Sequence, residues 1–157
     1  MKCILFLYFI TFTTYISCKT KWKYRSIYKL LLTDRFSSGS GSSTCKLGSY
    51  CRGDYQGMIK KLDYIKGMGF DAIRISPIIE NTEGSYHGYH FTNLYKLNSH
   101  FGTESVFKDF ADTCHRKDIW VMIDIVANHA GSVGTDYSKI NPFNSAEHYH
   151  VKCDKND

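Results

Sequence analysis

The chain alternates short apolar segments with amphipathic ones, and this alternation constrains its fold more than any other feature of the sequence. Residues 27–32, 70–78 and 120–126 are mostly apolar, which predicts three buried β-strands. The two segments between them have apolar residues at helical spacing, which predicts helices that begin after Asp54 and Thr103. Buried strands that alternate with amphipathic helices are typical of a parallel α/β sheet covered on both faces.

Two parallel folds remain open from this pattern, a doubly wound sheet and an eight-fold barrel. In both folds, ligand sites lie at the carboxyl ends of the strands. No Gly-x-Gly-x-x-Gly motif opens the first helix, and the Ser/Gly run at residues 37–43 lacks the Gly-Lys-Ser/Thr end of a phosphate loop. The sequence therefore argues against nucleotide binding, and we interpret the run as a loop.

The composition fits one folded domain. The chain has 157 residues, of which 43% are hydrophobic, enough for a sizeable core. The formal net charge is +5, but the basic residues are scattered along the sequence rather than clustered. Scattered charge is typical of a solvated surface and argues against a nucleic-acid partner.

The first 18 residues have the pattern of a secretory signal peptide. Lys2 supplies a positive start, residues 3–18 carry no charge and are mostly apolar, and short residues near Ser17 and Cys18 suit cleavage. A membrane anchor is the alternative, but an anchor needs about 20 apolar residues, and threonines interrupt this run. We therefore expect a secreted, extracellular protein whose mature form has no membrane segment.

Six cysteines fit an oxidising compartment, where disulfides persist. Cys45 and Cys51 are six positions apart in a Gly/Ser-rich stretch, which suits a small loop disulfide. Cys114 falls on the apolar face of the predicted second helix and is expected to be a buried thiol. Cys153 has no obvious partner before the chain stops, which suggests a partner beyond Asp157.

Asp124 lies inside an otherwise apolar predicted strand, and Asn128 and His129 follow at the end of that strand. A buried carboxylate is costly unless it is paired, so Asp124 is expected to meet a cation or several hydrogen-bond donors. Asp, Asn and His side chains together suit an oxygen-ligated metal, a sugar hydroxyl, a proton relay or a purely structural cluster. The residues of this segment alone do not choose between these roles.

Residues 86–90 (Tyr-His-Gly-Tyr-His) form a second polar and aromatic group. Imidazole and aromatic rings on one loop suit a pyranose, which has hydroxyl groups to bind and an apolar face for stacking. Zinc is the competing ligand, because His87 and His90 are three positions apart and His148 and His150 are two apart. These spacings do not form a tetrahedral signature with cysteine, which argues against zinc.

Four segments, in this order, carry a resemblance to a known family. They are Leu-Leu-Thr-Asp-Arg-Phe at 31–36, Tyr55-Gln56-Gly57 opening a helix that continues to Gly-Met-Gly-Phe at 67–70, Tyr86-His87-Gly88-Tyr89, and Asp-Ile-Val-Ala-Asn-His at 124–129. Over about residues 26–153, the chain resembles the alpha-amylase family of glycoside hydrolases, and most of all the fungal-type secreted alpha-amylases.

The resemblance implies the N-terminal portion, about three β/α units, of a (β/α)8 TIM barrel, plus the start of a calcium-binding excursion after the third strand. The implied divisions are a signal peptide at 1–18, part of the catalytic barrel at 19–130, and the truncated start of the inserted calcium-binding domain at 131–157. A complete barrel takes about 250 residues, whereas 139 remain without the leader (157 − 18 = 139). The chain is therefore expected not to close the barrel.

The resemblance also implies roles for individual residues. Asn128 resembles a calcium ligand, and an amide oxygen suits calcium. Asp124 resembles the buried aspartate that holds a later strand's arginine. The pair Cys45–Cys51 resembles the first disulfide of the family, and Cys153 the first cysteine of the next. The implied substrate contacts are Gln56, His87, Tyr89, His90 and His129.

Tyr89 resembles the tyrosine that stacks under the glucose ring at the cleavage point, and His129 the histidine that bonds this ring. Two positions depart from the family. His90 stands where Trp often follows the tyrosine, and Arg74 replaces a commonly aromatic residue of the second strand. A stacking surface is lost or altered at His90, so the fit of the substrate is expected to differ.

The implied activity is hydrolysis of internal 1,4-alpha-glucosidic bonds of starch, glycogen or maltooligosaccharides by a calcium-dependent enzyme that is monomeric when full length. Retaining glycosidases need two carboxylates about 5 Å apart, which the family carries on later strands, beyond Asp157. The 157-residue chain is therefore expected to be inactive and, with three strands and an open edge, unstable by itself. The alternative is a non-catalytic amylase-like protein that binds sugar or serves as an accessory.

Overall fold

The computed structural model describes most of the chain between Arg25 and His150: residues 25–41, 45–46, 48–131, 133–134 and 136–150. The predicted signal peptide at residues 1–18 and Cys153 lie outside these residues. Within the described ranges, no helix is long and apolar enough to cross a membrane.

Three of the strands form a parallel sheet. The strands are β1 (Ile27–Leu31), β2 (Ala72–Ile75), β3 (Ile79–Asn81), β4 (Phe91–Leu97) and β5 (Trp120–Ile123). The parallel sheet has the order β1-β2-β5, and Ala72 of the central strand pairs with Ile27 on one side and Trp120 on the other. The predicted parallel sheet is confirmed, and the carboxyl ends of its strands lie at one edge.

Both predicted helices are present, and the predicted residues cap them. The helices are α1 (Thr33–Phe36), α2 (Tyr55–Gly67) and α3 (Glu104–Arg116), with 3₁₀ segments at Ser99–Phe101, Tyr137–Lys139 and Ala146–His148. The Asp54 side chain accepts a hydrogen bond from the backbone N–H of Gly57 at 2.6 Å. The Thr103 hydroxyl accepts one from Val106 at 3.3 Å. These bonds satisfy N–H groups that have no partner inside the helix.

The second and third strands are shorter than predicted. β2 ends at Ile75, and Pro77, which lacks an N–H group, follows soon after. The backbone N–H of Asp124 donates to the carbonyl oxygen of Ile75 at 3.0 Å, after the last residue of β5. Asp124, predicted to lie within the third strand, therefore lies immediately after it, where a polar side chain reaches the end of the sheet.

The core lies between one face of the sheet and the helices α2 and α3. It consists of Leu31, Tyr55, Met58, Leu62, Ile65, Ile73, Ile75, Phe101, Phe110, Cys114 and Ile119. Burial of each large apolar side chain contributes about 1.5–3 kcal/mol. Cys114 is fully buried, as predicted. Successive strand residues point to opposite faces, so Arg74, between Ile73 and Ile75, lies on the other face of the sheet.

The sequence pattern did not predict β3 and β4. They pair antiparallel within the connection between β2 and α3, with Ile79 opposite Leu97 and Asn81 opposite Phe91. Two irregularities interrupt this pairing, so the apolar residues do not alternate with the period of two that marks a regular strand. The pair holds the loop at residues 82–90 at the carboxyl end of the parallel sheet.

Candidate functional site

The connection after β2, residues 76–103, contacts the connections that follow both β1 and β5. The Tyr50 hydroxyl, from the first connection, donates to the carbonyl oxygen of Ser85 at 3.3 Å. On the other side, the backbone N–H of Gly131 donates to the carbonyl oxygen of Phe91 at 2.7 Å. Three connections therefore meet at the carboxyl end of the sheet, where ligand sites of parallel α/β folds form.

The loop at residues 82–90 is closed by hydrogen bonds and a glycine. The backbone N–H of Thr82 donates to the carbonyl oxygen of His90 at 2.9 Å, and the N–H of His90 donates to Asn81 Oδ1 at 2.8 Å. Gly88 has a φ of 88°, and a Cβ at this position would lie 2.7 Å from the carbonyl oxygen of Pro77. Only glycine fits this close approach without strain.

Four rings at this end of the sheet form a cluster that we call the His–Tyr group: His87, Tyr89, His90 and His129. The His87 ring stacks on Tyr89 with centroids 5.7 Å apart and meets His90 edge to face at 4.8 Å. The His90 ring lies 6.1 Å from that of His129. Three of the side chains are half-buried and His129 is exposed, so a ligand can reach them.

Hydrogen bonds orient His129. A carbonyl oxygen can only accept, so His129 Nε2, which lies 3.0 Å from the carbonyl oxygen of Tyr89, carries the proton. His129 Nδ1 then accepts from the Asn128 side-chain Nδ2 at 3.3 Å. The predicted metal ligand and the predicted sugar-binding histidine are therefore in direct contact.

Asp124 joins the His–Tyr group to the sheet. Its Oδ2 accepts a hydrogen bond from the Tyr89 hydroxyl at 2.8 Å and lies 3.6 Å from Arg74 Nη2. Its Oδ1 accepts from the backbone N–H of Ile125 at 3.1 Å. The sequence predicts a cation or donors beside Asp124, and the structure places both there. The cation is Arg74 of β2. In the sequence, this residue was notable only because the family commonly has an aromatic residue at its position.

The stacked pair of His87 and Tyr89 is uncharged near neutral pH. Burial, and then the neighbouring His90, lower the pKa of His87, whose Nδ1 accepts from the backbone N–H of Tyr89 at 3.0 Å. Burial, followed by the hydrogen bond to Asp124, raises the pKa of Tyr89. A neutral imidazole stacked on a neutral phenol suits a ligand that carries no charge.

The disulfide predicted between Cys45 and Cys51 is present, and Arg35 connects it to the site. The Arg35 guanidinium contacts both sulfur atoms and donates to the carbonyl oxygen of Ser49 at 2.8 Å. Its Cζ lies 3.7 Å from the centroid of the Tyr86 ring, a cation–π contact. Arg35 therefore joins the disulfide loop to the loop of the His–Tyr group. No sequence pattern marks this contact, because it depends on how the two connections pack.

Gln56 is the predicted substrate contact that follows the first connection of the sheet, whereas the others follow the second and third strands. It is exposed in the first turn of α2, beside Gly39. In the described part of the chain, no hydrogen bond joins Gln56 to the His–Tyr group. A cavity of about 540 Å³ lies in the same region, lined by residues 37–41, Lys60 and Lys61. Serines, glycines and lysines offer no ring on which a sugar could stack, so this cavity does not mark the site.

A parallel α/β unit whose strand ends carry rings suited to a pyranose has the architecture of a barrel-type glycoside hydrolase. Comparison with known proteins confirms this class and narrows it. The chain belongs to the alpha-amylase family: the family described as alpha amylase, catalytic domain, matches residues 30–157. The three parallel strands are therefore part of a (β/α)8 barrel, and the doubly wound alternative is wrong.

The similarity extends over most of the chain. An alpha-amylase of Saccharomycopsis fibuligera is 46% identical over 147 residues, which cover 85% of this chain and 30% of that protein. The structure of an alpha-amylase from Malbranchea cinnamomea is 45% identical with a TM-score of 0.81, covering 86% of this chain and 31% of the other. An alpha-amylase from Geobacillus thermoleovorans, solved in complex with acarbose, is 36% identical with a TM-score of 0.66, covering 75% and 26%. The chain spans between a quarter and a third of the length of these relatives.

Proposed function

We propose that this chain is the N-terminal part of an alpha-amylase that hydrolyses internal 1,4-alpha-glucosidic bonds of starch, glycogen and maltooligosaccharides. The observation that carries the proposal is the His–Tyr group, in which accessible rings from two connections meet at the carboxyl end of the sheet. The alpha-amylase solved in complex with acarbose adds support, because it shares the fold of this region.

In the proposed reaction the described residues bind and orient the sugar. Tyr89 would stack under a glucose ring, and His87 and His90 would border it. His129 would bond a hydroxyl group through Nδ1, whose 3.3 Å contact with Asn128 Nδ2 would give way to the sugar. Gln56 would reach the substrate from the first turn of α2. These groups place the glycosidic bond, and a well-placed substrate removes much of the entropy cost of reaching the transition state.

Cleavage of the glycosidic bond requires two carboxylates in addition to the residues that bind the sugar. A retaining mechanism uses a nucleophile and an acid/base about 5 Å apart. Asp124 is the carboxylate that contacts the His–Tyr group, and both of its oxygens accept hydrogen bonds, with Arg74 beside one of them. It is suited to holding Tyr89 and not to attacking a sugar, so we place the nucleophile and the acid/base outside the 157 residues.

We also propose that Asn128 contributes one ligand to a calcium ion. Its Nδ2 is directed at His129 and its side chain is exposed, which leaves Oδ1 for a cation. Calcium takes about six to eight oxygen ligands. Among the described residues, no cluster of three His, Cys, Asp or Glu side chains could hold a metal, so Asn128 would share the ion with other groups. Bound calcium would stabilise the end of β5 next to His129.

We infer that residues 1–18 direct secretion, that residues 19–130 belong to the barrel, and that residues 131–157 begin the inserted calcium-binding domain. The full-length enzyme would act outside the cell as a monomer, with an alpha-glucan as its partner. The disulfide between Cys45 and Cys51 supports an oxidising compartment.

The test uses the longest translated product of the gene and compares His129→Asn with His115→Asn. His115 is an exposed histidine of α3, near the opposite end of the sheet. We expect the unaltered protein to release maltooligosaccharides from amylose. His129→Asn should lower kcat/KM about 10- to 100-fold, the size of one lost hydrogen bond to a substrate, and His115→Asn should leave it unchanged. Absence of hydrolysis by the unaltered product would contradict the proposed activity.

A non-catalytic sugar-binding protein is the second candidate. The observation that favours it is the engagement of Asp124 by Tyr89 and Arg74, which leaves the described part of the site without a free carboxylate. Calorimetry with maltoheptaose separates the two candidates. Binding that depends on His129, without any release of product, would support the second and reject the first.

A further inference from the structure

We propose that Arg74 is a positioning residue of the sugar site, which fixes the Asp124 carboxylate and, through it, the ring of Tyr89. The inference rests on the proposed function, because it assigns a role in the same site. It concerns a residue that the family commonly replaces with an aromatic one, so the role belongs to this chain and not to the family pattern.

The register of the sheet brings Arg74 and Asp124 together. Arg74 of β2 is opposite Met122 of β5, and Asp124 follows two residues later, on the same side of the strand by the period of two. The distance between Arg74 Nη2 and Asp124 Oδ2 is 3.6 Å, and the two side chains are 41% and 23% exposed. Asp124 forms no ion pair with another cation of the described residues.

The Asp124 carboxylate is therefore held from two sides. Oδ2 lies between the Arg74 guanidinium and the Tyr89 hydroxyl, while Oδ1 accepts from the backbone of Ile125. The planar guanidinium of arginine offers several N–H donors in a fixed arrangement, which suits it to hold a carboxylate oxygen. Removing the charge of Arg74 would take away one of the two side chains that hold Oδ2, and the acceptor of the Tyr89 hydroxyl would be less firmly placed.

Tyr89 is held at its two ends. Its hydroxyl donates to Asp124, and its backbone carbonyl oxygen accepts from His129. The ring stacked on His87 consequently has a fixed orientation. In addition, Arg74 Nε is buried without a hydrogen-bond acceptor among the described residues. A buried donor without an acceptor is costly, and the ion pair with Asp124 is the contact of the Arg74 guanidinium that offsets this cost.

The experiment compares Arg74→Met, Asp124→Ala and the double variant in the longest translated product, with Arg116→Met as the matched control. Arg116 is an exposed arginine at the end of α3, whose hydrogen bond is to Thr113 of the same helix. A positioning role predicts a rise in KM for maltoheptaose of roughly tenfold in Arg74→Met with kcat changed much less. The double variant should be no worse than Asp124→Ala, since the two residues act through one contact, and Arg116→Met should match the unaltered protein.

A second readout does not require catalysis. The protein is labelled with 3-fluorotyrosine, and the ¹⁹F resonance of Tyr89 is assigned with Tyr89→Phe. Arg74→Met and Asp124→Ala should move this resonance in the same direction, and Arg116→Met should not move it. If Arg74→Met does not fold, Arg74→Gln, which keeps a donor but not the charge, replaces it with the same expectation.

The outcomes separate this inference from the proposed function. An unchanged KM and an unchanged Tyr89 resonance in the Arg74 variant would overturn the role of Arg74, as would independent, multiplying effects of the two single variants. If the unaltered protein does not hydrolyse maltoheptaose, the proposed function fails. The ¹⁹F comparison then still decides whether Arg74 positions Tyr89.

Discussion

At the scale of single residues, the position of the His–Tyr group depends on Gly88. Gly88 has a φ of 88°, and its missing side chain leaves room for the carbonyl oxygen of Pro77. Gly84 has a similar φ of 79° but open space around it, so it is a matched control. An L-residue at positive φ costs about 1–2 kcal/mol. We expect Gly84→Ala to lower the free energy of unfolding by this amount and Gly88→Ala by clearly more.

Urea unfolding of the two variants measures this difference, and binding of maltoheptaose shows whether the loop has moved. Equal losses of stability in Gly84→Ala and Gly88→Ala would mean that the contact with Pro77 does not constrain the loop.

His87 should make stability depend on pH. Its pKa is lowered from the ordinary value of 6.5, chiefly by burial and then by His90, so the unfolded chain binds the proton more tightly than the folded protein does. Stability is therefore expected to be greatest above pH 6.5 and to decrease as the pH falls towards the lowered pKa. Protonation of Nδ1 would also remove the hydrogen bond from the backbone N–H of Tyr89.

His87→Asn is the comparison, since its Oδ1 can still accept from Tyr89 but does not titrate. Urea unfolding at several values between about pH 7.5 and pH 5.5 should show a smaller loss of stability in the variant. The same loss in both proteins would assign the pH dependence to another group.

At the scale of elements, helix α3 packs against the core with its apolar face, and this face includes the thiol of Cys114. Cys114 is fully buried against the core, and burial raises its pKa to about 12. The thiolate is the reactive form of cysteine, so Cys114 should resist alkylation in the folded protein and react once α3 leaves the core. Iodoacetamide treatment with and without denaturant, followed by peptide mass spectrometry, checks this. Modification of Cys114 under native conditions would show that α3 opens locally.

The helices and the parallel strands could be predicted because their signals are local. Asp54 and Thr103 have the side chains that cap a helix, and the apolar faces that follow them match the core contacts of α2 and α3. The pairing of β3 with β4 could not be predicted, because its two irregularities hide the alternation. In addition, β3 has only three residues, too few to show the period of a strand.

The residues of the candidate site could be predicted in part, and the contacts between them could not. Residues 87–90 and 128–129 stood out by residue type, and the structure brings most of them together. The pairing of Arg74 with Asp124 depends on the register between β2 and β5, which neither strand specifies alone. Gln56 was assigned by resemblance only, and its role stays a prediction.

At the scale of the whole molecule, α2 and α3 cover one face of the sheet, and in the described part of the chain no helix covers the other face, which the sequence pattern had predicted to be covered too. On β5 and just after it, Met122, Ile123 and Ile125 are exposed, with 76% of Ile125 accessible. Residues 19–157 produced alone should therefore bind a hydrophobic dye and unfold without a cooperative transition. The longest translated product should not bind the dye. Differential scanning calorimetry is the check, and a sharp transition in the short chain would contradict the expectation.

The segment from Gly131 to Asn141 is attached to β4 at both ends. Gly131 donates to Phe91, Asn141 donates to Thr92, and the carbonyl oxygen of Asn141 accepts from Leu94. A loop whose ends are fixed tolerates added length at little cost, because closure entropy grows slowly with the number of residues. A peptide grafted into the middle of this segment would therefore stay attached beside β4, the strand that follows the loop of the His–Tyr group. The segment is thus a place to install a new ligand-recognising loop by protein engineering.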